Sequence, residues 1–186
     1  MPTIIILIVT VLIVLWFVAM YNGIIRARNR TKEAWSDIDV QLKRRHDLIP
    51  NLIESVKGYM THERGLLEQV TKFRSQAIDA QQNGNTPALA AAESGLSNAL
   101  GGLRLAVEAY PELKANQNMA QLMDELSDTE NKIQAARRFY NGMVRDFNTS
   151  IEVFPTSLFA NMIHATPFAF FEITDATERE NVQVKF

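Results

Sequence analysis

The strongest constraint in this sequence is an apolar run near its start, residues 3–20, which contains no charged side chain. In a helix, a run of this length rises about 27 Å, close to the ~30 Å hydrocarbon core of a bilayer. A cleavable signal peptide has basic residues before a shorter run and a small-x-small site after it. Here only Met1 and Pro2 precede the run, which ends Val18-Ala19-Met20. The sequence therefore predicts a retained transmembrane anchor, assigned to residues 1–21.

Aromatic and basic side chains flank the end of the run. Trp16 and Tyr21 stand where an interfacial aromatic belt is expected. The basic residues that follow are Arg26, Arg28, Arg30 and Lys32. Because cytoplasmic flanks are enriched in lysine and arginine, this bias predicts a cytoplasmic body and a very short N-terminus outside. The four basic side chains either contact anionic headgroups or only set the topology, and both interpretations stay open.

Composition limits the chemistry of the remaining ~165 residues, which are enough for one domain with a core. The chain has 186 residues, a net charge of −2 and no cysteine. Seven basic and three acidic residues lie between Tyr21 and His46, so the positive charge is concentrated next to the anchor. Without cysteine there is no disulfide, no thiolate zinc site and no thiol nucleophile.

The first predicted helix after the anchor runs from Asn22 to about Lys57. Its apolar side chains step by three and four, with Arg45 filling one place in the stripe. The stripe keeps its phase across Pro50, which favours a kinked but continuous helix. We therefore expect the first turn near Gly58–Met60 rather than at Pro50.

Three further helices are predicted from stripes and caps. They run from Thr61 to about Gln82, from Pro87 to Ala109 with Thr86 as the cap, and from a cap at Asn116 or Asn118 to about residue 148, with a short turn at Pro111–Ala115 before the last. Four helices with short connections typically form an up-and-down antiparallel bundle. The expected fold is all-α: the anchor continues into an elongated four-helix bundle over residues 22–148.

The third predicted helix carries a second stripe, made of small side chains. Its members are Ala92, Gly95, Ala99, Gly102 and Ala106. Small residues let helices approach closely, although each glycine costs about 1 kcal/mol in a helix interior. The stripe has two interpretations: a tight fit inside one bundle, or a second packing face that makes these residues candidates for self-association.

The tail, residues 149–186, is rich in apolar side chains and almost uncharged between Glu152 and Glu172. We expect it to be irregular, with a short amphipathic helix over Ser157–His164 and a strand-like alternation at Val182–Phe186. Such a tail needs a partner surface, either the bundle itself, the bilayer interface or a neighbouring subunit. Its candidate self-association residues are Phe154, Leu158, Phe159, Phe168, Phe170 and Phe171.

The sequence contains no phosphate loop, dinucleotide glycine fingerprint or G-x-S-x-G motif. His62-Glu63 begins like a zinc-protease motif, but Leu66 stands where the second histidine is required, and all three histidines are interpreted as solvated or capping side chains. The basic run Lys43–His46 lacks interleaved aromatics, which argues against nucleic-acid binding. Glu63 and Glu130 lie on apolar stripes and are the only candidates for a buried carboxylate site. We predict no enzyme activity, no cofactor and no metal site.

Several stretches of this sequence are typical of one bacterial family. They are Ala34-Trp-Ser-Asp-Ile-Asp-Val-Gln-Leu-Lys-Arg-Arg-His-Asp-Leu-Ile-Pro-Asn-Leu-Ile-Glu-Ser-Val-Lys-Gly-Tyr59, Tyr110-Pro-Glu-Leu-Lys-Ala-Asn116, Ala136-Arg-Arg-Phe-Tyr-Asn141 and Phe154-Pro155. With them, the chain resembles the LemA family over nearly its whole length. The resemblance implies a single-pass inner-membrane protein with a cytoplasmic four-helix bundle, and it supplies no catalytic residues. Many members have a proline-rich tail, where this chain ends Glu178-Arg-Glu-Asn-Val-Gln-Val-Lys-Phe186.

The resemblance also implies two functional settings. The family includes a magnetosome membrane protein, and its members tend to be encoded near membrane metalloproteases. We therefore expect a non-enzymatic, membrane-anchored scaffold that self-associates and organises or remodels the bacterial inner membrane. The alternative is an adaptor or regulator of a membrane protease or envelope stress system. The expected partners are the lipid bilayer, further copies of the chain and, under the alternative, a membrane protease.

Overall fold

The computed structural model of the chain describes residues 2–60 and 62–172, which form six helices and no strand. The helices are α1 (Pro2–Lys57), α2 (Arg64–Gln82), α3 (Thr86–Val107), α4 (Pro111–Ala115), α5 (Gln117–Glu152) and α6 (Thr156–Met162). The prediction of an all-α chain with an apolar first helix is confirmed for these residues. The up-and-down order of four helices stays a prediction. The alternation expected at Val182–Phe186 lies outside the described residues.

α1 continues through Pro50, and the chain turns just after it, at Gly58, as the phase of the apolar stripe predicts. Because Pro50 has no N–H, the carbonyl of His46 one turn earlier lacks its helical donor. Arg74 of α2 supplies a donor instead, since its Nε donates to the His46 carbonyl oxygen at 2.8 Å. A side chain of α2 thus satisfies the polar group that the proline leaves unpaired in α1.

The turn between α2 and α3 lies where the glycine-asparagine run predicts it. Gly84 adopts the left-handed backbone region, with φ at 64°. α3 is capped by Asn85, whose side-chain oxygen accepts from the Ala88 N–H at 3.1 Å. The prediction of Thr86 as the cap is therefore wrong by one residue, because an asparagine oxygen caps a helix at least as well as a threonine hydroxyl.

The starts of α2 and α5 were also predicted from their caps. Asn116 caps α5, because its side-chain oxygen accepts from the N–H groups of Asn118 and Met119 at 3.0 and 3.2 Å. This decides between the two asparagines that the sequence offered. α2 begins at Arg64, later than the expected start at Thr61, which is not among the described residues.

The chain divides into two compact units. We name them the anchor unit, residues 2–39 with 136–170, and the core unit, residues 40–135 with 171–172. Because α1 and α5 are long, each contributes residues to both units.

The core unit is held together by apolar side chains from five helices. Its larger cluster consists of Leu52, Val56, Met60, Leu103, Val107, Leu113, Met119 and Leu126, with Leu66 and Leu67 of α2 packed against it. A second cluster consists of Ile49, Val70, Leu96 and Ala99. Each fully buried leucine, isoleucine or valine contributes about 1.5–3 kcal/mol relative to an exposed one.

The anchor unit has a smaller core, in which the tail packs against the helices of its own chain. Ile24 of α1, Phe147 of α5 and Ala160 of α6 are its buried members. Asn148 holds the segment after α6, because its side chain accepts from the Phe168 N–H at 2.9 Å and donates to the Phe168 carbonyl at 3.0 Å. Some apolar side chains of the tail therefore pack on the same chain, which is one of the surfaces considered for the tail.

Candidate functional site

The first candidate site is the apolar surface of α1. An 18-residue window of this helix has a mean hydropathy of 3.0, and none of the window is buried. A helix of this length and composition is compatible with a membrane anchor. Because an uncovered apolar surface of this size is unfavourable in water, lipid is the surrounding that suits it.

The aromatic and basic side chains predicted to lie at the membrane surface are exposed. Trp16 and Tyr21 are exposed on α1, as are the four basic residues Arg26, Arg28, Arg30 and Lys32. Arg26 folds back along the helix, with its Nε donating to the Asn22 carbonyl oxygen at 3.2 Å. Headgroup binding by these residues stays a prediction.

Three of the tail residues proposed for self-association are covered by their own chain. The Phe159 ring meets the Phe17 ring edge to face, with centroids 4.8 Å apart. The Phe168 ring packs in the same way on Phe147, at 5.1 Å. Phe171 is buried. Edge-to-face pairs of this kind contribute about 0.5–1.5 kcal/mol beyond the area that they bury.

The other tail candidates are exposed. Phe154 is 80% exposed and Leu158 57%, and Phe170 is also exposed. The amphipathic helix expected over Ser157–His164 is present as α6, from Thr156 to Met162. The tail therefore covers one set of apolar side chains and presents another.

The small-residue stripe of α3 lies against α2 of the same chain. A Cβ atom added at Gly95 would come within 2.7 Å of the Phe73 ring, and one added at Gly102 would lie 3.3 Å from Leu66. The remaining members are the buried Ala92 and Ala99 and the half-buried Ala106. This geometry is the tight fit inside one chain that the sequence allowed. Use of the stripe against a second copy stays a prediction.

The second candidate site is a buried group of polar side chains in the core unit. We name it the ion cluster: Arg45, His46, Glu93, Ser97 and Glu130. The Arg45 side chain is 1% exposed, and its guanidinium donates to the carboxylates of Glu93 and Glu130 and, at 2.9 Å, to the Ser97 hydroxyl. His46 Nε2 lies 2.7 Å from a carboxylate oxygen of Glu93. The cluster therefore joins α1, α3 and α5 through charge-assisted hydrogen bonds.

Burial dominates the electrostatics of the ion cluster. It lowers the pKa of His46 to about 4, and the positive charges of Arg45 and Arg74 act in the same direction. His46 is therefore neutral at pH 7 and donates its Nε2–H to Glu93. Burial also lowers the pKa of Arg45, while the charge of Glu130 and the hydrogen bond to it act in the opposite direction.

The ion cluster corrects one interpretation made from the sequence. His46 is not solvated: it is 4% exposed, because it lies on the inward side of α1 beside Glu93. The run Lys43–His46 is not a continuous basic surface, because only Lys43 and Arg44 are exposed.

Two members of the ion cluster were not predicted from the sequence, Ser97 and Glu93. Glu93 stands in the apolar stripe of α3, four residues after Leu89 and three before Leu96. Arg45 fills a place of the same kind in the stripe of α1. Two opposite charges that each interrupt an apolar stripe are a signal for a buried ion pair between the helices, because a lone buried charge is costly.

The carboxylates proposed from the sequence have separate partners. Glu130 belongs to the ion cluster, whereas Glu63 accepts from the Tyr110 hydroxyl at 2.7 and 2.8 Å. A cavity of about 340 Å³ lies beside Glu130 and is also lined by Ser97, Asn131 and Leu100. In the described part of the chain, no group of three histidines, aspartates or glutamates is placed to hold a metal ion.

Residues 34–186, which include the whole ion cluster, match the family model described as the LemA family. The chain belongs to the LemA family. Among its LemA-family relatives, Protein LemA of Metamycoplasma hominis is 30% identical over 168 residues, which cover 90% of this chain and 74% of the relative.

Other relatives of this LemA-family chain are named magnetosome proteins. Magnetosome protein MamQ 2 of Paramagnetospirillum magneticum is 24% identical over 181 residues, covering 83% of this chain and 66% of that protein. Magnetosome protein MamQ of Magnetospirillum gryphiswaldense is 23% identical over 158 residues, covering 73% of this chain and 58% of that protein. The LemA-family chain thus spans no more than about two thirds of the length of these magnetosome proteins.

Proposed function

We propose that this LemA-family chain is a single-pass protein of the bacterial inner membrane with a cytoplasmic body. In this proposal it is a non-enzymatic scaffold that self-associates and organises or remodels the membrane. The proposal includes an elongated up-and-down four-helix bundle formed by α1, α2, α3 and α5.

One observation carries the proposal: α1 passes without a break from the apolar run into buried packing. The side chains of the run are exposed, whereas Ile24, Ile38 and Leu52 farther along the same helix are buried. α1 remains helical through Pro50. One helix therefore carries both the apolar run and buried side chains of the body, without an intervening linker.

Two further observations support the proposal. Arg45 and Glu93 are buried, Glu130 is half-buried, and their charges are directed at one another, which is the arrangement of a structural group rather than of a reacting one. The relatives named magnetosome proteins agree with the membrane setting that the family resemblance implies.

The test is the mass of the full-length protein in lipid nanodiscs and in mild detergent, measured by light scattering. We expect a discrete assembly of several 21.0 kDa chains. A variant lacking residues 1–21 tests whether the anchor is needed for assembly. In the matched control, Thr3–Leu15 is replaced by a leucine-alanine helix of equal length, which keeps a membrane span together with Trp16 and Phe17.

The outcomes separate the possibilities. An assembly that survives the leucine-alanine replacement but not the deletion places self-association in the anchored body. Loss of assembly in both variants assigns it to the sequence of the apolar run. A monomer of the full-length protein in both nanodiscs and detergent would refute the scaffold.

The second candidate function is an adaptor for a membrane protease, favoured by the cavity of about 340 Å³ beside Glu130. Ser127 and Arg104 also line this cavity, so it presents polar as well as apolar groups to a partner. Crosslinking in membranes followed by purification should then recover a stoichiometric second protein. A Ser127→Trp variant, which fills the cavity, should release it. Recovery of this chain alone would count against the adaptor.

A further inference from the structure

The exposed face of α6 is continuous with the apolar anchor. Phe159 on the covered side of α6 contacts Phe17 at 4.8 Å and Trp16 at 6.3 Å between ring centroids. Phe17 lies within the apolar run, about 4.5 Å along the helix axis before its end at Met20. α6 is therefore beside the part of the anchor that lies just inside the end of the apolar run.

The side of α6 next to Phe159 is apolar and uncovered. Leu158 is 57% exposed and Met162 is 75% exposed, and residues four apart lie on the same side of a helix. Phe154, two residues before the helix, is 80% exposed. Three large apolar side chains thus stand close together along the chain without a partner in the described part of the molecule.

The charges around this face suit a membrane boundary. From Val153 to Phe171 the sequence contains no aspartate, glutamate, lysine or arginine. The basic residues of the anchor unit begin at Arg26, beyond the end of the apolar run. The uncharged face of α6 lies beside the end of the anchor's apolar run, where a helix can bury an apolar face at the boundary between headgroups and acyl chains.

We propose that α6 and Phe154 insert into the bilayer beside the anchor, in the leaflet from which the body emerges. Phe154, Leu158 and Met162 lie at the boundary between headgroups and acyl chains, and Phe159 fixes α6 to the anchor. The inference rests on the membrane anchoring under Proposed function but not on self-association. It gives the chain a second, shallow membrane contact in one leaflet. It also assigns the exposed face of the tail to lipid rather than to another copy.

The test uses the absence of cysteine, which allows one environment-sensitive fluorophore to be attached at a chosen position. Three full-length variants, Leu158→Cys, Leu12→Cys and Arg145→Cys, are labelled and reconstituted in vesicles of phosphatidylcholine and phosphatidylglycerol. Some vesicles contain lipids with a doxyl quencher near the headgroup, others lipids with the quencher deep in the acyl chain. Leu12 reports the anchor itself, and Arg145 is an exposed residue of α5 in the same unit.

We expect the label at residue 158 to emit at shorter wavelength than the label at residue 145 and to be quenched most by the shallow doxyl group. The label at residue 12 should be quenched most by the deep one. Quenching at residue 12 but not at residue 158 overturns the inference and leaves the anchoring intact. A wavelength shift at residue 158 without quenching by lipid also overturns it and assigns the face to a second copy. Absence of quenching at residue 12 overturns the anchoring and the inference together.

A second experiment changes the exposed side chains themselves and places the fluorophore at residue 162 through Met162→Cys. Phe154→Ser with Leu158→Ser changes only exposed side chains, so the far-UV circular dichroism should be unchanged. The matched control is Phe139→Ser, an exposed phenylalanine of α5. We expect the double variant, but not the control, to lower the quenching of a label at Met162 by shallow doxyl lipids. Unchanged quenching in the double variant would overturn the inference.

Discussion

Arg45 is the most deeply buried charged side chain in the described residues, and it faces two carboxylates. We expect Arg45→Met to lower the free energy of unfolding by about 3–5 kcal/mol, because it leaves the charge of Glu93 buried without its cation. Arg44→Met is the control, since Arg44 is exposed and only 3.9 Å ion pairs join it to Glu125 and Asp128. Such surface pairs contribute about 0–1 kcal/mol. Urea denaturation measures the free energy of unfolding of both variants.

A double variant shows whether the cost comes from the uncompensated charge. Arg45→Met with Glu93→Met removes both charges, and apolar replacement of a whole buried pair is often neutral or stabilising. The double variant should therefore be more stable than Arg45→Met alone. If Arg45→Met and Arg44→Met lower the free energy of unfolding equally, the role assigned to the ion cluster is contradicted.

His46 makes the stability depend on pH. Burial lowers its pKa from 6.5 to about 4; Arg45 and Arg74 act in the same direction and Asp47 acts against them. Between these values the unfolded chain binds a proton that the folded chain, with His46 donating to Glu93, does not bind. The free energy of unfolding should therefore be highest above about pH 6.5 and fall as the pH drops towards 4.

The measurement is a series of urea midpoints across this range. His46→Gln should flatten the profile, since glutamine does not titrate. His62→Gln is the matched control, because His62 is an exposed histidine of the same chain. A slope that persists in the His46→Gln variant would assign the pH dependence to other groups.

At the scale of helices, the continuity of α1 depends on a side chain of α2. Arg74→Met should cost about 1–3 kcal/mol, because it leaves the carbonyl of His46 buried without a donor. In a Pro50→Ala background, the N–H of residue 50 becomes available to the same carbonyl, and the arginine substitution should cost less. Unfolding of the two single variants and the double variant gives this coupling as a double-mutant cycle.

Arg64→Met, exposed on the same helix, is the control and should cost the same in both backgrounds. If Arg74→Met has the same effect with and without Pro50, its hydrogen bond does not compensate for the proline.

The order of the helices could be predicted from local signals, because the stripes, the glycine turn and the prolines act within a few residues. The phase of the stripe across Pro50 was enough to predict one helix. The partner of the His46 carbonyl was not predictable, because Arg74 is 28 residues away. The ion cluster could not be predicted for the same reason. The sequence shows Arg45 within an apolar stripe, but its pairing with Glu93 depends on how α1 and α3 pack.

At the scale of the molecule, the untested part of the topology is the side of the membrane on which the body lies. The basic residues after the apolar run predict that it is cytoplasmic. Because the chain has no cysteine, Ser75→Cys on the exposed side of α2 reports this directly. We expect a membrane-impermeant maleimide to label it only after spheroplasts are lysed.

Pro2→Cys is the matched variant and should be labelled in intact spheroplasts. The opposite pattern, with residue 75 labelled before lysis, would show that the body lies outside the cytoplasm.

The anchor unit is built from the two ends of the described chain, and this has a consequence for its synthesis. Ile24 is made early, whereas Phe147 and Ala160, which share its core, are made late. The Thr31 hydroxyl likewise donates to the Met143 carbonyl across 112 residues of sequence. A ribosome that stops before α5 therefore releases a chain whose anchor unit cannot close. The apolar side chains around Ile24 then stay exposed, so the unfinished chain carries apolar surface that the finished chain buries.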